Sequence, residues 1–484
     1  MLPAWTSALL ITATMAAGGA PPGRSAPPGA APPATTTPPG PAAPPAAPSP
    51  ALAPPLVPSP AEDAAIQAMA SHRSWMRRMV AAARAERWPG HGYAAGILAP
   101  LAADTDPRVR CAAIVGLRRV GAPVPEERLQ NESDPRVIRT MLRCGVLLDA
   151  DRMERGARAL MKSTVPSERL LGVEIAAALD SQGRAPKSLV NSMRDTFSSI
   201  IARLEREDGG ALSPRLAILT GAPDVRVHYK WRLWLDRNSV AYKLAGGMVP
   251  AAPAADALSK LSSEDFVRFT TALEEAYRKP IDLGVALDCT ASMSGEIAQA
   301  QGGVEDLMQF VGSASPGMRL AIVGYRDEGD DWKTKWWDFT ADRKEARQHL
   351  WDLSADGGGD EPELVNEALK VAYGQFGWRQ GPSVQRVMVL IGDAPPHPGF
   401  EQRCVDMAKK AKELGITTFV LSTRAESKTE EVPKFVDIAR AGGGRVIRLG
   451  ARADLAAELA GLALADTWHD PIVALFDRAL FLCR

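Results

Sequence analysis

Hydrophobic residues recur at helical spacing through residues 61–220, so we predict an α-helical domain there. Its first segment has Ser59 and Asp63 near its start and Pro89-Gly90 after its end. These start and stop signals predict a single opening helix of about 25 residues.

A short motif repeats inside this helical region. The pentad DPRVR at residues 106–110 recurs as DPRVI at 134–138, and a looser third copy begins at Val165. An apolar helical pattern follows each copy. These units resemble HEAT-type helical-hairpin repeats, in which an Asp-Pro turn caps the second helix. The resemblance implies a short solenoid, because each hairpin buries its apolar face only against its neighbours. Such a solenoid would bind a protein partner or support the next domain, and the sequence leaves both open.

Residues 221–278 form a predicted connector with a different pattern. Apolar and polar residues alternate between 225 and 235, which predicts a strand. A polar turn then leads to a second predicted strand around 240–244, so we expect a β-hairpin. A capping-box pattern beginning at Ser262 predicts a helix that ends near Lys279.

Short apolar runs and helical patterns alternate from residue 279 to 467. Near-continuous apolar strands joined by helices imply a parallel sheet covered on both faces, so we predict an α/β, doubly wound (Rossmann-like) domain. Residues 468–484 follow as a predicted tail helix. The predicted strands are 281–288, 318–327, 333–341, 384–393, 416–422 and 445–449.

Oxygen-bearing side chains stand where these strands end. Asp288 ends the first predicted strand and Asp393 the fourth, while a glycine-rich loop at 357–363 carries further acids. In open α/β sheets the ligand site lies at the carboxyl ends of the strands. Carboxylates and hydroxyls suit Mg²⁺, Mn²⁺ or Ca²⁺ rather than zinc. The pattern therefore predicts a divalent-cation site.

These residues resemble those of the von Willebrand factor A (vWA) domain and its metal-ion-dependent adhesion site. The first motif of that family, Asp-x-Ser/Thr-x-Ser, stands here as Asp288, Thr290 and Ser292, and the acid of its third loop as Asp393. The resemblance implies Mg²⁺ (or Mn²⁺ or Ca²⁺) at these residues and a protein ligand bound through the metal face. The chain departs from the family at Asp360, where adhesion domains usually carry a threonine.

Several assignments stay open at this stage. Asp360 would either add a third carboxylate to the metal or cap the helix that begins at Glu361. Asp288 and Asp393 would act as simple strand-end caps if the domain had lost its metal. The charged residues within 326–331 would either rim the site or form a solvated loop, and we favour the loop.

The amino-terminal segment has its own composition. Residues 1–20 contain a short apolar run followed by small residues, which predicts a secretory signal peptide. Residues 21–60 hold 17 of the 39 prolines, and Arg24 is their single charged residue. Such a segment has few large side chains to bury, so we predict a disordered spacer. Export would place the protein outside the cell or in the cell envelope.

Composition and charge narrow the function classes. The 484 residues include 57 Lys+Arg and 57 Asp+Glu, so no net field attracts nucleic acid. The five cysteines include no C-x-x-C or C-x-x-H pair of the kind that binds zinc. Cys111–Cys144 is the one disulfide considered, and two buried thiols are the favoured alternative. The chain carries no P-loop, H-E-x-x-H or G-x-S-x-G motif. We therefore expect a non-enzymatic binding protein. The alternatives are a helical scaffold with a structural metal and, less favoured, a metal-assisted hydrolase.

Overall fold

The computed structural model describes residues 57–483 apart from 90–91, 130–131, 147–148, 223–227, 239–243, 245–256, 360, 425–430 and 450–453. The predicted signal peptide, nearly all of the proline-rich spacer and most of the second hairpin strand lie outside these residues. The prediction for Asp360 lies outside them as well.

Helices make up the described secondary structure before residue 279. This region contains α1 (Pro60–Ala70), α2 (Trp75–Ala85), α3 (Gly92–Leu101), α4 (Pro107–Arg119), α5 (Glu126–Leu129), α6 (Pro135–Arg143), α7 (Ala150–Leu160), α8 (Pro166–Ser181), α9 (Lys187–Ala202), α10 (Arg206–Thr220), α11 (His228–Asn238), α12 (Ala257–Lys260) and α13 (Ser263–Arg278).

The single long helix predicted at the start of this region is wrong, because the chain breaks between α1 and α2. The N–H of Ser74 donates to Nδ1 of His72 at 2.9 Å. The carbonyl of His72 accepts from the Arg78 guanidinium at 2.7 Å. The side chains of His72 and Arg78 thus satisfy backbone groups that a continuous helix would have paired, and they stabilise the break.

The repeated Asp-Pro-Arg motif has the same local structure in both of its copies. Asp106 and Asp134 are the N-caps of α4 and α6, and each accepts the N–H of the arginine two residues later at 2.9 Å. Each carboxylate also pairs with that arginine's guanidinium. In the third copy α8 begins at Pro166 with Val165 at the N-cap. The HEAT-type resemblance itself stays a prediction.

The strand predicted for 225–235 is wrong over its described part, which belongs to helix α11. Trp231 is fully buried in this helix, and its Nε1 donates to Ser213 Oγ at 3.0 Å. Trp234 lies one helical turn further on and packs edge-on against Phe197 of α9. Packing of these two indoles, three residues apart, favours the helix over the alternating pattern.

An α/β domain follows the helical region, as predicted. The strands of the described residues form one six-stranded sheet in the order β3-β2-β1-β4-β5-β6. The strands are β1 (Ile281–Asp288), β2 (Arg319–Tyr325), β3 (Thr334–Thr340), β4 (Gln385–Gly392), β5 (Ile416–Ser422) and β6 (Gly443–Arg448). The helices are α14 (Ser294–Ala314), α15 (Arg343–Trp351), α16 (Val365–Gly374), α17 (Glu401–Glu413), α18 (Phe435–Ala441), α19 (Leu455–Leu464) and α20 (His469–Cys483).

The sheet departs from the predicted all-parallel arrangement at one edge. β3 pairs with β2 antiparallel, whereas the other neighbouring pairs are parallel. The connection from β2 to β3 is short, and a parallel return needs about a dozen residues or more. The short loop therefore fixes β3 as an antiparallel edge strand.

The first helices and the α/β domain share a hydrophobic core. Buried residues of α2, α4, α14, α19 and α20 belong to the same cluster. A second cluster unites α7 to α11. Cys111 and Cys144 are buried and free, so the considered disulfide is absent. Within the described part of the chain, no helix is long and apolar enough to cross a membrane.

Candidate metal centre

The candidate centre lies at the carboxyl end of the two central strands. β1 and β4 are adjacent and parallel, and Leu287 pairs with Ile391 at the end of their register. Asp288 is the last residue of β1, and Asp393 directly follows β4. The sheet topology therefore places the two acids at the same edge.

The first loop turns back on the end of β1 and holds its hydroxyls close to the acid. Asp288 Oδ1 accepts the Thr290 N–H at 2.9 Å and the Thr290 Oγ1 hydroxyl at 2.7 Å. Thr290 Oγ1 lies 3.4 Å from Ser292 Oγ, and Ser292 Oγ donates to Asp393 Oδ1 at 3.2 Å. The structure thus brings together four of the five residues that the sequence singled out.

Asp288 provides the test of whether a cation fits here. The residue is completely buried, and its Oδ2 has no hydrogen-bond partner among the described residues. Burial raises the pKa of Asp288 to about 7, and the nearby charges of Asp393 and Asp327 add to the rise. A buried carboxylate oxygen without a partner is costly unless a positive charge meets it. The donor set of carboxylates and hydroxyls fits a hard divalent cation.

Glu363 also belongs to this cluster, and the sequence argument did not single it out. It is 3% exposed, and burial together with the charges of Asp288, Asp327, Asp330 and Asp393 raises its pKa to about 9. Its N–H donates to the carbonyl of Pro395 at 2.9 Å. The signal available in the sequence was its place in the glycine-rich loop.

Two glycines let the glycine-rich loop approach the loop that follows β1. Gly357 and Gly358 both have positive φ, at 78° and 74°. A Cβ on Gly358 would lie 2.9 Å from the Cβ of Thr290, and one on Gly357 would collide with the Asp330 carboxylate. Glycine is therefore required here both by the backbone conformation and by close contact.

Of the charged residues within 326–331, Arg326 and Asp327 are packed, whereas Glu328 and Asp331 are exposed, so the solvated loop that we favoured holds only in part. Arg326 is 3% exposed and Asp327 8%. The Arg326 guanidinium donates to the carbonyl of Ser354 at 2.8 Å and lies over the Trp332 ring. His397 Nε2 lies 2.5 Å from Asp327 Oδ1. These contacts tie the end of β2 to Ser354, before the glycine-rich loop, and to His397, after Asp393.

Among the described residues, no group of three or more His, Cys, Asp or Glu side chains is placed to hold a metal ion. The arrangement at Asp288 is of another kind, because two of its four donors are the hydroxyls of Thr290 and Ser292. The metal is therefore a proposal, and it rests on the unpaired Asp288 oxygen and on the crowding of negative charge.

Comparisons with known proteins identify the domain that carries this centre. Residues 282–451 match the family model described as von Willebrand factor A domain. Among solved structures, the chain is similar to the one described as "Crystal Structure of the SpRpn10 VWA domain", at 11% identity over 38% of this chain and 94% of that chain, with a TM-score of 0.29. Among curated proteins, none matches. The family match, together with the sheet topology, makes the carboxyl-terminal α/β region a vWA domain.

Proposed function

We propose that this chain is an exported, non-enzymatic binding protein whose vWA domain binds a protein ligand through a divalent cation. The domain class commonly mediates protein interactions. Asp288, Thr290, Ser292 and Asp393 would hold the cation, and the unpaired oxygen of buried Asp288 is the observation that carries the proposal.

The open coordination position of the cation explains why a protein ligand would complete such a site. Two carboxylates, Asp288 and Asp393, neutralise a divalent cation, and the hydroxyls of Thr290 and Ser292 add no charge. A bound Mg²⁺ supplies a coordination position that a carboxylate of the partner can take. The proposal therefore names an acidic group on the partner as the element recognised.

Isothermal titration with Mg²⁺ and Mn²⁺ tests the cation site. Asp288→Ala and Asp393→Ala should each abolish binding of one ion, because each variant removes a carboxylate that neutralises the cation. Asp437→Ala on α18 is the matched control, because it removes a half-exposed carboxylate whose ion-pair partner is Lys434. Unchanged stoichiometry in both site variants would refute the assignment.

Partner capture from a native envelope extract tests the function itself. Mg²⁺ should permit capture, EDTA should abolish it, and Asp393→Ala should behave like the EDTA sample while circular dichroism shows an intact fold. Capture that persists in EDTA favours the alternative, a helical scaffold in which the metal is structural. Amino-terminal sequencing of the native protein tests export, and an intact Met1 on cytoplasmic protein would contradict it.

A further inference from the structure

A cleft of about 480 Å³ lies away from the candidate metal centre, where the helical region meets the vWA domain. Its walls come from the amino ends of α2 and α4, the carboxyl halves of α13 and α14, and the start of α15. The volume falls within the usual range of small-molecule sites, about 300–1,000 Å³.

The charge of the cleft has one sign. Of the described residues that line it, three are arginines, Arg73, Arg108 and Arg343, and none is acidic. Arg108 is fixed: it pairs with Asp106 at 2.6 Å, and its guanidinium lies 3.6 Å from the centre of the Trp75 ring. Arg73 and Arg343 are exposed, and neither forms an ion pair with a described residue. Two guanidinium groups thus remain available to an anion.

The rest of the lining offers neutral donors and an apolar wall. Ser74 Oγ and Ser313 Oγ lie 2.7 Å apart at the junction of α2 and α14. Ser74 is the N-cap of α2 but makes no side-chain cap, so the helix's positive end adds to the field. Met308, Met318 and Pro316 form an apolar side of the cleft.

We propose that this cleft binds a small molecule that carries a phosphate group on an apolar or aromatic body. The planar guanidinium fork matches phosphate oxygens in a bidentate manner. Two unpaired arginines balance the dianion, while the methionines and Pro316 contact the body. The proposal is independent of the cation site, because none of the proposed metal ligands lines the cleft.

Calorimetric titration of the full chain tests the proposal with phenyl phosphate, inorganic phosphate and succinate, in EDTA and at low ionic strength. Phenyl phosphate should bind saturably, and more tightly than inorganic phosphate or succinate. Arg73→Gln and Arg343→Gln should each weaken phenyl phosphate binding about tenfold, the loss expected for one charged hydrogen bond. Arg440→Gln on α18 removes an exposed arginine outside the cleft and should leave binding unchanged.

The variants also separate binding from folding. Arg73 and Arg343 are both exposed, so thermal unfolding of Arg73→Gln and Arg343→Gln should match that of the parent chain. The proposal fails if no phosphate probe binds saturably, if the variant that combines Arg73→Gln with Arg343→Gln binds phenyl phosphate as tightly as the parent, or if succinate binds as tightly as phenyl phosphate.

Discussion

Glu363 is buried among the aspartates of the candidate metal centre, and its burial and their charges raise its pKa to about 9. At neutral pH the side chain is therefore protonated in the cation-free protein. Binding of a divalent cation nearby favours the ionised form, so the carboxylate would strengthen the site without being a direct ligand.

Glu363→Gln tests this role because glutamine has nearly the same shape as the protonated acid. We expect the unfolding temperature in EDTA to stay close to that of the parent chain, while Mg²⁺ affinity falls about tenfold through the lost charge. Titration in two buffers of different ionisation enthalpy should also show fewer protons released by the variant. Equal affinity in the two proteins would contradict the role.

His469 is a second buried titratable residue, placed between α19 and α20. Nε2 lies 2.9 Å from Glu458 Oε2, a charge contact without hydrogen-bond alignment, and Nδ1 lies 3.0 Å from Asp470. Burial by itself lowers the pKa of His469 and Arg445 opposes protonation, but the two carboxylates outweigh both and raise it.

The sign of this shift gives a pH dependence. A raised pKa means that the folded state binds the proton more tightly, so the stabilisation is complete below the ordinary pKa of about 6.5 and disappears as pH rises through the higher folded value. We expect the stability gap between the parent chain and His469→Gln to shrink across that window. Urea unfolding of both proteins at several pH values measures it, and parallel profiles would contradict the assignment.

At the scale of elements, the sequence predicted the parts whose signal is local. Each central strand is a nearly unbroken apolar run, so the sequence alone predicts the strands. Asp288, Thr290 and Ser292 are spaced two residues apart where β1 ends, so the sequence also predicts that they lie together. The sequence alone could not predict the burial of Glu363, because that burial depends on a β-bridge to Pro396, a residue distant in the sequence. The sequence of α11 fits both the two-residue period of a strand and the 3.6-residue period of a helix. The hydrogen bond from Trp231 of α11 to Ser213 of α10 favours the helix.

The two Asp-Pro helix starts and the Val165-Pro166 start of the third copy permit a test of capping. Val165 has the backbone angles of an N-cap, φ −83° and ψ 120°, close to those of Asp106, and its side chain is 45% exposed. Val165→Asp should therefore add the cap that the third copy lacks and stabilise the protein by about 1 kcal/mol. Chemical denaturation measures the gain. Val165→Ala, which supplies no acceptor, should show none, and equal stability of both variants would contradict the capping argument.

At the scale of the whole molecule, α20 joins the helical region to the vWA domain. Phe476 is 1% exposed on this helix and packs edge-on against Phe310 of α14, with ring centres 5.0 Å apart. Buried residues of α2 and α4 belong to the same core cluster. Because the core is shared, we expect α4 and β1 to unfold together.

Phe476→Ala should lower the free energy of unfolding by about 3–5 kcal/mol, since it leaves a cavity in this shared core. Hydrogen exchange read on peptides from α4 and β1 should then show the same loss of protection in both elements. Phe197→Ala is the matched control: that ring is fully buried in the second cluster, with α7 to α11, so it should loosen α9 and leave β1 unchanged.

If Phe476→Ala weakened β1 alone, the two regions would be separate folding units, and a cation bound at the vWA domain could not stabilise the helices. If both elements respond, Mg²⁺ at about 100 times its dissociation constant should protect α4 as well as β1, by about 2.7 kcal/mol.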